Sequence, residues 1–288
     1  MVACFVLLFS LSWVSLIALQ IENSDEDNES ELVFGGRPAH IGLFPFQAFI
    51  SAKGDFQNSF FCGGTLISSR FVLTAAHCTD PILLNPESRV YLGTVDLGDL
   101  SAANVQERKI ISYRLHPRWT YSVLGPYDIA VLELADNVTF TKAVHPVRII
   151  QDDSKIEHSF YMRGVISGFG ANRVTHDHLA FPRQLFWTQI AFVQRPDCQR
   201  LWSTTNNKVQ ITNKQFCAGE RGKGIGSGDS GGPLLVLEKG NFVQVGITSI
   251  GPKKNDVLQQ DKVPGIFTRT SFFCDFMEGA TNFEFSCL

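Results

Sequence analysis

The stretch Gly228-Asp229-Ser230-Gly231-Gly232-Pro233-Leu234 sets one hydroxyl among glycines. Glycine on both sides lets the backbone take tight turns and aim its amides into a small concavity, the arrangement that stabilises the oxyanion of acyl transfer. A serine in such a turn is, by itself, more often part of an ordinary loop; nucleophilic chemistry also needs a base and a group that orients the base. Of the seven histidines, His40, His158, His176 and His178 lie in polar or turn-like surroundings, and His116 and His145 each precede proline, which reads as strand-edge punctuation. His77, in Thr74-Ala75-Ala76-His77-Cys78, follows the apolar run Phe71-Val72-Leu73 and sits between small residues and a cysteine able to pin it. Asp128 opens the run Asp128-Ile129-Ala130-Val131-Leu132, where a buried carboxylate must be hydrogen-bonded because an unpaired one is very costly. His77, Asp128 and Ser230 are therefore the candidates for base, orienter and nucleophile.

The elements that must bring these three together are short. Apolar or alternating runs at 46–50, 71–74, 129–134, 165–167, 234–237 and 243–250 are broken by Gly, Pro, Asn and Asp. Their length and their β-branched and aromatic content predict strands. Helical candidates are confined to a turn at 75–78, a stretch at 195–202 and a final piece at 271–279. The chain reads as all-β, and either one large sandwich or two packed barrels fits the pattern. With 288 residues, 44% hydrophobic and 18% charged, it has an ordinary globular composition and not that of a disordered chain. A formal charge of -3 and the lack of a basic tract argue against nucleic acid or an anionic membrane surface as partner.

Residues 1–20 contain no charged side chain and carry an apolar run, which reads as a secretory signal peptide; an uncleaved membrane anchor is the competing reading. Residues 21–32 hold six acids and no base, the composition of a solvated tail or propeptide. Loss of residues 1–32 leaves 25 bases against 22 acids. Cys4 lies in the leader; the remaining six, Cys62, Cys78, Cys198, Cys217, Cys274 and Cys287, form three sequence-local couples without a zinc-like spacing. The residues alone allow 15 pairings. Disulfides in an oxidising compartment are the expectation, and the sequons at Asn28 and Asn137 fit secretion and glycosylation.

Taken together, Val33-Phe34-Gly35-Gly36, Phe61-Cys62-Gly63-Gly64-Thr65-Leu66, the His77 and Asp128 motifs, Ser167-Gly168-Phe169-Gly170, Phe216-Cys217-Ala218-Gly219 and the Ser230 motif resemble the chymotrypsin family of serine proteases. The resemblance implies two packed six-stranded antiparallel barrels with a short C-terminal helix, divided into residues 33–150 and 151–288, with the triad in the cleft between them. It implies attack by Ser230, proton transfer through His77, orientation by Asp128, and an oxyanion hole made of the Gly228 and Ser230 amides. It implies the disulfides Cys62–Cys78 and Cys198–Cys217, which leaves Cys274 with Cys287. Gly164 and Val236 stand where many members have a cystine, and Gly226 stands where a second is common.

The resemblance also sets the specificity pocket. Gly224 takes the floor position at which trypsin-like members carry an Asp, and Gly251 and Gly265 form the walls. Ile225 narrows the base, Ser249 pairs with substrate backbone, and Ile250 replaces the usual tryptophan. The expectation is cleavage after apolar or aromatic residues, with an elastase-like preference for small ones as the alternative. Activation is expected between Leu32 and Val33, the new ammonium inserting beside Asp229; Leu32 replaces the usual Arg or Lys. No cofactor or metal is expected, since residues 93–107 lack a clear acidic cage. The expected molecule is a secreted, extracellular monomer acting on proteins or peptides, with proteinaceous protease inhibitors as further partners. A catalytically silent relative acting as a binding protein is the competing class, but such proteins usually lose Ser or His and here all three positions are filled.

Overall fold

Strand formation follows the apolar runs closely. The computed structural model describes residues 33–52, 60–80, 85–157, 162–175, 178–206 and 209–288. The expected signal segment, the acidic segment, Asn28 and Leu32 lie outside the described residues. Six strands close a first barrel: β1 (Gln47–Ser51), β2 (Phe61–Leu66), β3 (Phe71–Thr74), β4 (Arg89–Leu92), β5 (Gln106–Leu115) and β6 (Ala130–Leu134). They are all antiparallel, in the order β1-β2-β3-β6-β5-β4. A second six, β7 (Arg163–Gly168), β8 (Phe186–Val193), β9 (Gln215–Ala218), β10 (Pro233–Glu238), β11 (Asn241–Ile250) and β12 (Gly265–Arg269), close in the equivalent order β7-β8-β9-β12-β11-β10. Of the two architectures open at the level of residue pattern, the molecule adopts two barrels.

β3 is buried at all four positions because it is walled by β2 and β6 on its edges and by the core on one face. β5 shows a different pattern: from Gln106 to Ile111 half-buried and exposed residues alternate, with Gln106, Arg108 and Ile110 on the half-buried side and Ile111 exposed. The predicted helical pieces occur as a 3-10 turn at Ala76–Cys78, an α-helix α1 at Arg195–Ser203, and a 3-10 turn at Thr270–Phe273 that runs into α2 at Cys274–Ala280. Pro196 and Asp197 in the first turn of α1 suit a helix start, because proline needs no hydrogen-bond acceptor there and the acid meets the positive end of the helix dipole.

Each end of the described chain crosses to the other barrel. Arg37 and Pro38 pair with Trp187 and Phe186 of β8, and the Arg37 guanidinium lies 4.1 Å from the Trp187 ring centroid. At the other end, Phe273, Met277 and Phe285 join the core of the first barrel, and the Cys274–Cys287 disulfide closes this strap. Polar pairs cross the junction too: Thr65 Oγ1 donates to Gln244 Oε1 at 2.7 Å, and Ser167 Oγ donates to Gln47 Oε1 at 2.7 Å. Gly164 and Val236 lie on adjoining strands, β7 and β10, with Leu234 filling the space over Gly164, so apolar packing stands where a cystine was absent.

Met277 tests the strap. It is fully buried although it belongs to no barrel strand. Met277→Ala is expected to lower unfolding stability in urea by about 2–5 kcal/mol, as for a barrel core residue, whereas a loosely attached helix would give a change within about 0.5 kcal/mol.

Candidate active site

His77 sits where β3 runs out into the 3-10 turn. Ala75 and Ala76 are fully buried, which explains the small residues before it, and Cys78 is bonded to Cys62 of β2, which fixes the turn to the barrel wall. The His77 backbone N–H donates to Asp128 Oδ1 at 2.9 Å, and Nδ1 lies 2.7 Å from Asp128 Oδ2. With the carboxylate an acceptor only, the proton of that ring contact sits on Nδ1, so in the neutral ring it is Nε2 that carries the lone pair. Cys78 Sγ is 3.9 Å from Nε2. Cys62, His77 and Cys78 are close enough to suggest a metal cluster, but the disulfide removes both thiolates from metal binding.

Asp128 is fully buried and accepts from both barrels. Ser249 Oγ of β11 donates to Oδ2 at 2.5 Å, and Thr268 Oγ1 of β12 donates to the Asp128 carbonyl at 2.9 Å. Ser230 reaches the same place from the second barrel. Its carbonyl accepts from the Gly63 N–H at 2.8 Å, and the neighbouring Gly231 N–H donates to Thr248 O at 2.8 Å. Gly231 has φ +79, and a Cβ there would overlap Thr74 Oγ1 and press on Ala75 N, the run into His77. Only glycine allows that approach. Gly228 has φ +95, and a side chain there would strike the Phe61 ring. Among the described residues nothing accepts from the Gly228 or Ser230 amides, and Ser230 Oγ makes no hydrogen bond to His77 Nε2. Donors without an acceptor beside a serine are what an oxyanion site requires, and in substrate-free sites the nucleophile–base contact is often open.

The loop carrying Ser230 is wrapped around Asp229. Its buried carboxylate accepts from Gly170 N at 2.9 Å and from Gly226 N at 2.8 Å. Among the described residues no cation pairs with it. Burial pushes its carboxyl up to about 6, the two backbone donors offsetting only part of that rise. Val33 and Phe34 are buried close by, and the Phe34 carbonyl accepts from Gly224 N at 3.1 Å.

Beside Ser230 opens a cavity of about 290 Å³ lined by Ile225, Thr248, Ser249, Gly251 and Val257. The tip of Ile225 lies between the two glycines: a Cβ on Gly251 would meet Ile225 Cδ1 at 3.4 Å, and one on Gly265 would meet it at 2.9 Å. Behind Ile225, the side-chain direction of Gly224 is filled by the carboxamide of Gln260. The structure thus brings His77, Asp128 and Ser230 to the junction of the barrels, and Ile225, Ser249 and Gly251 around one cavity; Gly265, expected as a second wall, does not line it and faces Ile225 instead. The fold sets Gly224 one layer deeper. Sequence reasoning missed Gln260 and Thr268. Gln260 is one of two adjacent glutamines in a polar loop and carries no local signal; Thr268 belongs to a strand whose inward face becomes known only from its register.

Two closed barrels with a carboxylate-oriented histidine and a glycine-flanked serine at their junction define a serine hydrolase of the two-barrel class. The family model described as Trypsin matches residues 33–277. A venom serine protease, Bi-VSP, of Bombus ignitus is 33% identical over 258 residues, covering 85% of this chain and 67% of that protein. The serine protease Hayan of Drosophila melanogaster and the proclotting enzyme of Tachypleus tridentatus are each 30% identical over 86% and 85% of this chain, which spans 38% and 65% of their lengths. The chain belongs to the trypsin family of serine proteases and is a serine endopeptidase.

The unpaired Asp229 has a consequence for stability. Folding lifts its carboxyl above the ordinary carboxylate value, so the stability tied to its protonated form is present in full below about pH 4 and is lost as pH rises through about 6. In the full chain the loss is on the order of 2–3 kcal/mol. Urea unfolding of the full chain at about pH 4.5 and about pH 7.5 measures it, and Asp229→Asn is expected to flatten the difference.

Proposed function

We propose that the chain is a secreted endopeptidase, made as a zymogen, that cuts after uncharged apolar side chains, with Leu and Met ahead of Phe and Tyr. The observation that carries this reading is Ile225 between Gly251 and Gly265, in a cavity whose lining residues include Lys254 but no acid. A substrate Lys or Arg entering this cavity would bury a charge without a partner. An aromatic ring would meet the Ile225 side chain before reaching full depth, whereas shorter apolar chains stop above it. Should Ile225 hold the base more tightly still, Ala and Val would lead, as in an elastase-like enzyme.

In the reaction, Ser230 Oγ attacks the scissile carbonyl as His77 Nε2 takes its proton. The Gly228 and Ser230 amides hold the oxyanion, and His77 returns the proton to the leaving amine. Water then repeats the sequence on the acyl-enzyme. Asp128 keeps the proton of the neutral ring on Nδ1 and stabilises the imidazolium. Protein or peptide chains are the substrates, and the names of the relatives, a venom protease and a proclotting enzyme, support an extracellular setting. The sequon Asn137 is exposed and open to glycosylation.

Activation would follow a cut between Leu32 and Val33. The new Val33 ammonium gives Asp229 the cation it lacks, and the buried pair orders the loop of Gly228 and Ser230. The residue before the cut is Leu, so the enzyme can act on its own precursor, while a protease selective for Arg or Lys has no handle there.

Three outcomes test this reading. Ser230→Ala and His77→Ala abolish measurable peptidase activity, and Asp128→Asn lowers kcat by about 10⁴-fold, the loss this triad shows when its acid is replaced. In a matched peptide library, cleavage after Leu or Met exceeds cleavage after Arg; the reverse order would sink the proposed specificity. The Ser230→Ala precursor stays intact alone and acquires a Val33 terminus, read by N-terminal sequencing, when trace active enzyme is added. An unchanged terminus would remove self-activation.

A further inference from the structure

Gln260 has no part in the triad or the oxyanion site, yet it is fully buried and almost fully hydrogen-bonded. Its Oε1 accepts from the Ile225 N–H at 3.1 Å, and its Nε2 donates to the Ile225 carbonyl at 2.7 Å and to the Val257 carbonyl at 3.1 Å. The first two bonds bracket both peptide groups of one residue, as a neighbouring strand would. Without them, a buried N–H and a buried C=O would be left unpaired, at a cost of about 1–3 kcal/mol each. Room for the glutamine is made by two glycines: a Cβ on Gly224 would overlap its carboxamide, and one on Gly219 would come within 2.9 Å of its Cβ. Among the described residues no disulfide ties the segment 224–228 to the loop 251–265. The Gln260 carboxamide does so, and Val257, its third partner, also lines the cavity.

We infer that Gln260 is a specificity-positioning residue: by clamping the peptide groups of Ile225 and filling the space behind them, it fixes Ile225 as the floor of the pocket and sets the length of side chain admitted. The inference rests on reading this cavity as the primary specificity pocket. Two consequences follow from the geometry. An acid introduced at Gly224 alone could not reach the cavity, because the carboxamide already stands where its side chain would go. The selectivity assigned to Ile225 depends on a residue 35 positions later in the chain, in a loop that supplies no member of the triad or the oxyanion site.

The test uses the activated full chain, with active sites counted by an organophosphonate, and matched peptides that differ only in Ala, Leu, Phe or Arg before the cut. Gln260→Ala frees the floor and is expected to raise the Phe-over-Leu ratio of kcat/KM by about tenfold or more. Gln260→Met keeps the bulk but loses all three bonds, so it is expected to shift the ratio in the same direction by a smaller factor; it carries the test if the alanine variant does not fold. Ile225→Ala raises the same ratio, and adding Gln260→Met to it changes the ratio by less than Gln260→Met does alone, because the glutamine acts through Ile225. A selective wild type whose ratio is unmoved in the titratable variants, or full additivity in the double variant, would overturn the inference while leaving the pocket reading intact. A wild type indifferent to Ala, Leu, Phe and Arg would remove the pocket reading and this inference with it.

Discussion

The buried carboxylate of Asp128 is the constraint around which the two barrels meet. A charge at that depth is tolerable only when its oxygens are filled by donors. Those donors come from both sides: the His77 amide and ring from the first barrel, the Ser249 hydroxyl from the second, with Thr268 holding the carbonyl of the same residue. Neither barrel could bury Asp128 alone. Satisfying one carboxylate therefore sets how the barrels pack and, at the same time, how the imidazole is turned. The crossed ends of the chain reinforce that packing, because the 37–38 strap and the helix Cys274–Ala280 each tie one barrel to the other.

Asp229 presents the same physics with a different balance. Two backbone donors reach its carboxylate, no cation among the described residues does, and burial raises its proton affinity. The two carboxylates, one met by donors from both barrels and one left short of a partner, match the parts proposed for them: Asp128 as a fixed element and Asp229 as the group on which a change in the chain terminus acts. A loop built around an incompletely compensated charge is well suited to adopt its final form only when the missing charge arrives.

The two barrels share one strand order, yet no repeat is visible in the sequence. The connectivity is fixed by which short strands pair across a closed sheet. Many apolar residue types satisfy an inward position equally well, so the topology leaves no periodic trace in composition.

Much of the site is legible in the residues themselves, because it depends on local chemistry. A serine between glycines, a histidine beside small residues and a pinning cysteine, and an acid at the head of a buried run each carry their demands within a few positions. The all-β class and the three short helical pieces are legible for the same reason, since strand length, turn residues and β-branching act locally. The choice between one sandwich and two barrels was not, because it depends on pairings between distant strands. The pocket divides along the same line. The absence of an acid at Gly224 and the apolar nature of Ile225 stand in the sequence. That the tip of Ile225 lies between Gly251 and Gly265, and that Gln260 clamps it from behind, was decided only by tertiary structure. A glutamine in a polar loop has no local feature that marks it for burial; only the space cleared by Gly219 and Gly224, and the unpaired peptide groups of Ile225 waiting there, give it that place.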